Sequence, residues 1–190
     1  MSDDLTLDCE DDERLTTRRL ILRRPTMRDV PAITAHLADY DVVSMLSRVP
    51  WPYMTDDAEA FVAAIPQQSK NAIFALARRE CDDLIGIGGL HRLRHGRAEL
   101  GYWLGRAFWG SGYGTEAAQR LIDYGFQTLE LDRIDVSCRV VNDASRQLIR
   151  RCGFAFTGPG MIDSLSAGRV ASEHYMLDRN SWRSIRMWGR

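Results

Sequence analysis

A chain of 190 residues, 45% hydrophobic and 27% charged, is long enough for one continuous core and has the make-up of an ordinary globular domain. A formal net charge of -1 gives no global attraction to nucleic acid or to an anionic membrane, and no apolar run approaches the ~20 residues needed to span a bilayer. Four cysteines, Cys9, Cys81, Cys138 and Cys152, have no metal-ligand spacing and are too sparse for a disulfide framework, which points to reduced thiols, a cytoplasmic location and no metal.

Residues 1–14, MSDDLTLDCEDDER, are acidic where a secretory leader would be basic and then apolar, and they hold too few apolar side chains to offset the entropy of ordering; a disordered tail is expected. A single domain over 15–182 follows, with 183–190 as a second tail. Residues 19–24 alternate as a strand. Asp29 with Pro31 opens a helix that buries Ile33 and Leu37. A second helix starts near Asp56, with Glu59 completing a capping box, Ala58, Phe61, Val62 and Ile65 on one face, and Pro66 ending or distorting it. Between these helices, residues 41–55 carry Met45, Trp51, Tyr53 and two prolines. Aromatics beside rigid prolines either wall a pocket or pack over the core.

Three strand-like runs, 73–79, 84–93 and 98–104, joined by polar turns, read as a meander. His91 and His95 within it are four apart, but HRLRH lacks the glutamate of a zinc-protease helix and reads as a solvated hairpin. The next stretch, LGYWLGRAFWGSGYGTEA over 100–117, carries most of the functional information. A strand-like run feeds a loop with Gly110, Gly112 and Gly114, and an amphipathic helix follows at once, burying Ala117, Ala118, Leu121, Ile122, Phe126 and Leu129. Glycines let the main chain approach a ligand closely, and a helix start offers unpaired N–H donors with a partial positive charge, so this order builds a phosphate site. The P-loop spacing fails, because Ser111 and Gly112 follow Gly110 where Lys and Ser/Thr should stand. The dinucleotide fingerprint fails at Thr115. A glycine-rich turn ahead of an ordinary helix is the other reading of the same residues.

Ile134, Val136, Cys138 and Val140 then alternate as a strand, a short helix runs from Asp143 to about Cys152 and stops at Gly153, and two more strands, near 154–162 and 172–178, complete a mixed sheet. The stretch 180–190, with Trp182, Trp188 and several arginines, closes over the sheet, joins a homodimer or is unstructured.

Two segments carry a resemblance. WGSGYGTEA resembles the phosphate loop of the GNAT superfamily of acyl-CoA N-acyltransferases, Q/R-x-x-G-x-G/A. Trp109 at the Gln/Arg place is similar to the aromatic common in the RimJ/RimL-like branch. VVNDASRQLIRRCGF over 140–154 resembles the second motif, N-x-x-[AS]-x-x-L-x-x-[KR]-x-G-F. The resemblance implies an α/β (α+β) fold: a central mixed, mostly antiparallel sheet flanked by helices and splayed between its fourth and fifth strands, here 99–104 and 133–141. It implies acetyl-CoA as cosubstrate, with pantetheine against the strand of Tyr102, Trp103 and Leu104, in the manner of an added strand. Pyrophosphate would rest on the amides of Gly110, Ser111, Gly112, Tyr113, Gly114 and Thr115, with Trp109 and Ser145 among the cofactor contacts and Asn142 bonding the pantetheine or the strand end. Glu116, a carboxylate in the first helical turn, is read as structural, since it would repel pyrophosphate.

For catalysis the resemblance implies Glu99 as general base, with Asp163, Glu173 and His174 as alternates. Many members use a tyrosine where Ile149 stands, so Ser145 is expected to donate to the departing sulfur. Asn142 and Ser145 also sit where helix caps are favoured. Trp51 and Tyr53 fall on the acceptor side. The implied activity is acetyl transfer to a primary amine, either a protein N-terminal α-amine, as in ribosomal-protein-modifying relatives, or a small amine such as a polyamine, an antibiotic or an amino acid. A GNAT-like module that binds acyl-CoA without turning it over is the alternative from another class.

Overall fold

The computed structural model describes residues 14–65, 71–92 and 95–188. The expected amino-terminal tail up to residue 13, Cys9, the helix stop at Pro66 and the strand end at Leu93 lie outside them. In chain order the strands are β1 (Leu15–Thr16), β2 (Leu20–Arg23), β3 (Ala72–Arg78), β4 (Leu84–Arg92), β5 (Arg97–Leu104), β6 (Arg133–Arg139), β7 (Ala155–Ser164) and β8 (Gly168–Asp178). The helices are α1 (Val30–Leu37), α2 (Tyr40–Val43), α3 (Thr55–Ala63), α4 (Tyr113–Gln127), α5 (Asp143–Arg151) and α6 (Arg179–Trp188).

The strands form one eight-stranded sheet in the order β1-β2-β3-β4-β5-β6-β8-β7. Every neighbouring pair is antiparallel except β5 and β6, which are joined through the α4 crossover that a parallel pair requires. The mixed, mostly antiparallel sheet expected from the sequence is therefore present. β1 was not foreseen, and it makes the parallel pair fifth and sixth in chain order.

Period-two alternation sorts the side chains onto two faces. Leu90, Leu100, Leu104, Ile134, Val136 and Tyr175 meet α4 and α5 in one core. Ala75, Ile87 and Trp103 face the other way, packing with Val30, Ile33, Leu37, Val42, Val43 and Val62 from α1, α2 and α3. Full burial of each large aliphatic side chain contributes about 1.5–3 kcal/mol, so both helical layers are firmly held.

Local signals explain the element ends, with two corrections. The cap of α3 is closed by Asp57, whose carboxylate accepts from Met54 N at 2.8 Å, two residues earlier than the box expected at Glu59. Asp29 does precede α1, but its carboxylate is buried against Arg23 at 2.8 Å and accepts from Thr26 N instead of capping the helix. The carboxy-terminal stretch is helical: in α6, Trp182 stacks on Phe126 of α4 at 5.2 Å and donates to Asp123 at 2.9 Å. No helix among the described residues is long and apolar enough to cross a membrane.

Candidate active site

The glycine loop follows β5 directly. Gly110 and Gly112 have φ of 72° and 80°, a left-handed conformation that side chains disfavour, and Gly112 is the residue ahead of α4. Gly114 has a different reason to be glycine: a Cβ there would stand 3.0 Å from Leu148 Cδ1, so its absence lets α4 pack close to α5. The ladder of α4 begins with Glu116 N donating to Gly112 O at 3.1 Å. The N–H groups from Gly112 to Thr115 thus lie ahead of that ladder, at the positive end of a 15-residue helix.

A clamp absent from the sequence reading sets the loop's orientation. Arg19 donates from Nε to Glu116 Oε2 at 2.7 Å and from its guanidinium to Ser111 O at 2.9 Å, and lies 4.3 Å over the Tyr113 ring. Glu116 also accepts from Thr17 Oγ1 at 2.6 Å and Arg19 N at 2.7 Å. Burial alone would raise the Glu116 carboxyl, but these bonds and the arginine's charge outweigh it and hold the group below its ordinary range. Glu116 is therefore the structural acid expected, and the Arg19 that it anchors holds the Ser111 carbonyl of the loop. Trp109 Nε1 donates to Leu104 O at 2.8 Å, tying the loop back to the end of β5.

Beyond the loop the sheet opens. β5 and β6 pair only at Arg97↔Arg133, Ala98↔Ile134 and Glu99↔Asp135, although β5 continues to Leu104 and β6 to Arg139. From Tyr102 to Leu104 the edge of β5 facing β6 has no strand partner. On the α5 side of this gap, the Tyr102 hydroxyl and Ser145 Oγ are 2.9 Å apart. Asn142 caps α5, its Oδ1 accepting from Ser145 N at 3.0 Å. Ile149 is fully buried and faces the core.

The opposite face of the gap carries Glu99, the last paired residue of β5. Antiparallel register puts His91 of β4 beside it. Burial and the charge of Arg48 lower the His91 pKa while Glu99 opposes them, leaving the ring neutral at pH 7. Across the gap, Ser137 Oγ of β6 is 2.9 Å from His174 Nδ1 of β8, and Ser172 Oγ is 3.4 Å from its Nε2. Gly160 on β7 leaves room for this ring, since a Cβ there would stand 2.0 Å from His174 Nε2.

Two distant segments close over this face. At the β7–β8 turn, Ser164 Oγ donates to Leu46 O at 2.7 Å, Leu165 N to Ser47 O at 3.0 Å and Ser166 Oγ to Val43 O at 3.2 Å. Arg139 reaches from β6 to Ser44 O. The structure thus brings the 41–55 segment and the last strands together.

The remaining sequence candidates divide by face. Trp51 is 42% exposed and packs edge-on against Tyr40 at 5.1 Å. Tyr53 is only 8% exposed and belongs to the core beneath α1 and α3, which raises its hydroxyl pKa, through burial and then the charge of Asp57, to about 12. Asp163 is exposed on β7 opposite Arg169. Glu173 lies on the α5 side, accepting from the Tyr175 hydroxyl and pairing with Arg146 Nε at 3.1 Å, away from Glu99. Sequence reasoning missed Arg19 and Thr17 because a clamp between residues about a hundred positions apart leaves no local signal.

The acetyltransferase (GNAT) domain family model matches residues 19–155. The chain is 32% identical over 150 residues to p20 of Bacillus licheniformis, named an uncharacterized N-acetyltransferase, covering 77% of this chain and 84% of that protein. It is 39% identical over 79 residues to the ribosomal-protein-serine acetyltransferase of Escherichia coli, covering 40% of this chain and 44% of that one. Among solved structures, RimL, a ribosomal L7/L12 alpha-N-protein acetyltransferase in complex with coenzyme A, superposes with a TM-score of 0.76 at 20% identity, over 89% of this chain and 99% of that one.

Proposed function

This chain belongs to the GNAT acetyltransferase family, and on that premise we propose that it transfers the acetyl group of acetyl-CoA to a primary amine, with a protein N-terminal α-amine as the acceptor. The observation that carries the reading is the union of the β5–β6 gap with the glycine loop. An extended arm bearing amides can pair with the open edge of β5 as a missing strand would, while a diphosphate meets the N–H groups from Gly110 to Thr115. The one carboxylate in the first turn of α4, that of Glu116, is engaged by Arg19 and Thr17. Acetyl-CoA supplies an acetyl thioester.

An ammonium has no lone pair, so a proton must leave before or during attack. At pH 7 this costs roughly 1 kcal/mol for an α-amine and roughly 4–5 kcal/mol for a lysine, so an N-terminal amine is the easier nucleophile. In the proposed mechanism Glu99 accepts that proton, directly or through water. On the other face, Ser145 donates to the sulfur as negative charge develops. The ribosomal-protein-serine acetyltransferase of Escherichia coli among the relatives supports the choice of acceptor. The reading assigns the activity to one domain over 15–182, and the free thiols of Cys81, Cys138 and Cys152 accord with a reducing cytoplasm.

The experiment is CoA release against matched panels of N-terminal peptides and small amines, beside calorimetric titration with CoA. Turnover preferring peptides supports the proposal. Turnover of small amines alone moves the acceptor to a polyamine, antibiotic or amino acid, and tight CoA binding without turnover of any amine would make the domain a sensor.

A further inference from the structure

Resting on the acetyl-transfer reading above, we infer that Tyr102 is a positioning residue for the leaving-group step, its phenol bonding to Ser145 so that the serine's own proton points into the β5–β6 gap. Tyr102 lies three positions past the last β5–β6 pair, roughly 10 Å along the strand, and its side chain crosses toward the first turn of α5. The two hydroxyls are 2.9 Å apart, one on β5 itself and the other on α5, which follows β6. Ser145 is also fixed at its main chain, where Asn142 Oδ1 accepts its N–H.

Proton placement follows from donor counting. A serine hydroxyl has one proton and two acceptor sites. If that proton were given to Tyr102, none would remain for sulfur. If Tyr102 donates, its own proton is satisfied and the serine's is free for a third group. Burial, first of all, raises the phenol's pKa well above the ordinary tyrosine range, with Ser145 opposing, so Tyr102 stays a neutral donor. Its titratable neighbours stay neutral too: burial pushes the Cys152 thiol up to about 11, and it raises Cys138, on which Ser145, Glu173, Arg146 and Arg150 act less strongly.

In the reaction the C–N bond forms as the C–S bond breaks, and the C–S electron pair leaves on sulfur. The amine's proton goes to Glu99. Ser145 keeps its proton and stabilises the thiolate by a hydrogen bond, and Tyr102 keeps its own. The hydroxyl pair thereby serves where Ile149, buried and lacking any donor, cannot.

The test is titration of enzyme-bound CoA, following the thiolate's ultraviolet absorbance against pH, in the wild type, Tyr102→Phe, Ser145→Ala and Ser145→Thr. A thiol pKa below that of free CoA in the wild type, raised by about half a unit or more in Tyr102→Phe and Ser145→Ala and kept low in Ser145→Thr, is expected. The kcat should fall about tenfold in Tyr102→Phe and about thirtyfold in Ser145→Ala, with the KM for acetyl-CoA unchanged and the double variant no slower than Ser145→Ala. Bound CoA titrating identically in wild type and Tyr102→Phe, or losses that multiply in the double variant, would overturn the inference. If wild-type enzyme binds no CoA at all, the acetyl-transfer reading itself fails. Ser145→Thr and Ser145→Ala keep the test decisive should Tyr102→Phe not fold.

Discussion

The loop ahead of α4 and the roof over Glu99 are built in opposite ways. The loop gathers its proposed binding groups from six consecutive residues, Gly110 to Thr115, as main-chain N–H groups whose aim depends on the left-handed φ at Gly110 and Gly112. The roof and its walls use side chains from β4, β5, β6, β7 and β8 and carbonyls of the 43–47 segment, brought together by hydrogen bonds such as Ser164 to Leu46 O, 118 residues apart. A site of main chain is local and leaves a motif. One of converging side chains depends on every element that carries it, and it can change acceptor without disturbing the loop.

Four substitutions test that division. Glu99→Gln, on the acceptor face, should lower kcat by about 10²–10³ while leaving acetyl-CoA affinity intact, with the loss greatest at pH values where the amine is mostly protonated. An unchanged pH–rate profile would remove Glu99 from the chemistry. Gly112→Val should do the reverse: a β-branched residue at φ 80° is strained, and CoA affinity measured by calorimetry should fall by about 10–100-fold with the acceptor KM little moved.

Glu116→Gln probes the clamp behind the loop. Removing a charged acceptor from Thr17 and Arg19 should cost about 2 kcal/mol and lower the Tm by several degrees at neutral pH. Because the carboxyl is held below its unfolded pKa, its contribution is full above about pH 4.5 and is lost as pH falls through the lower folded value. The gap in Tm between wild type and Glu116→Gln should therefore close in acid, and a constant gap would point to packing alone. The smallest effect is expected at the roof: Ser164→Ala should cost about 1 kcal/mol and raise the acceptor KM a few-fold, with CoA affinity unchanged.

Legibility followed the same division. The meander, the α4 stripe and the cap at Gly153 were readable because period and turn chemistry are local. Asn142 and Ser145 were visible through their motif, yet only the structure joined Ser145 to Tyr102, 43 positions away. Tyr53, expected on the acceptor side, proved to be core once α1 and α3 packed around it. His91 was read as part of a solvated hairpin, whereas register sets it, half-buried, on β4 beside Glu99.

By itself the sequence determined the order of most strands and helices and the glycine loop at a helix start, where an anion site was expected, because hydrophobic period, φ preference and unpaired helix N–H groups act within a few residues. The tertiary structure alone decided where β5 and β6 part, that Arg19 and Thr17 engage Glu116 behind the loop, and which hydroxyls and imidazoles pair beside the gap. These depend on contacts between residues tens of positions apart, whose geometry exists only after the sheet has set its register.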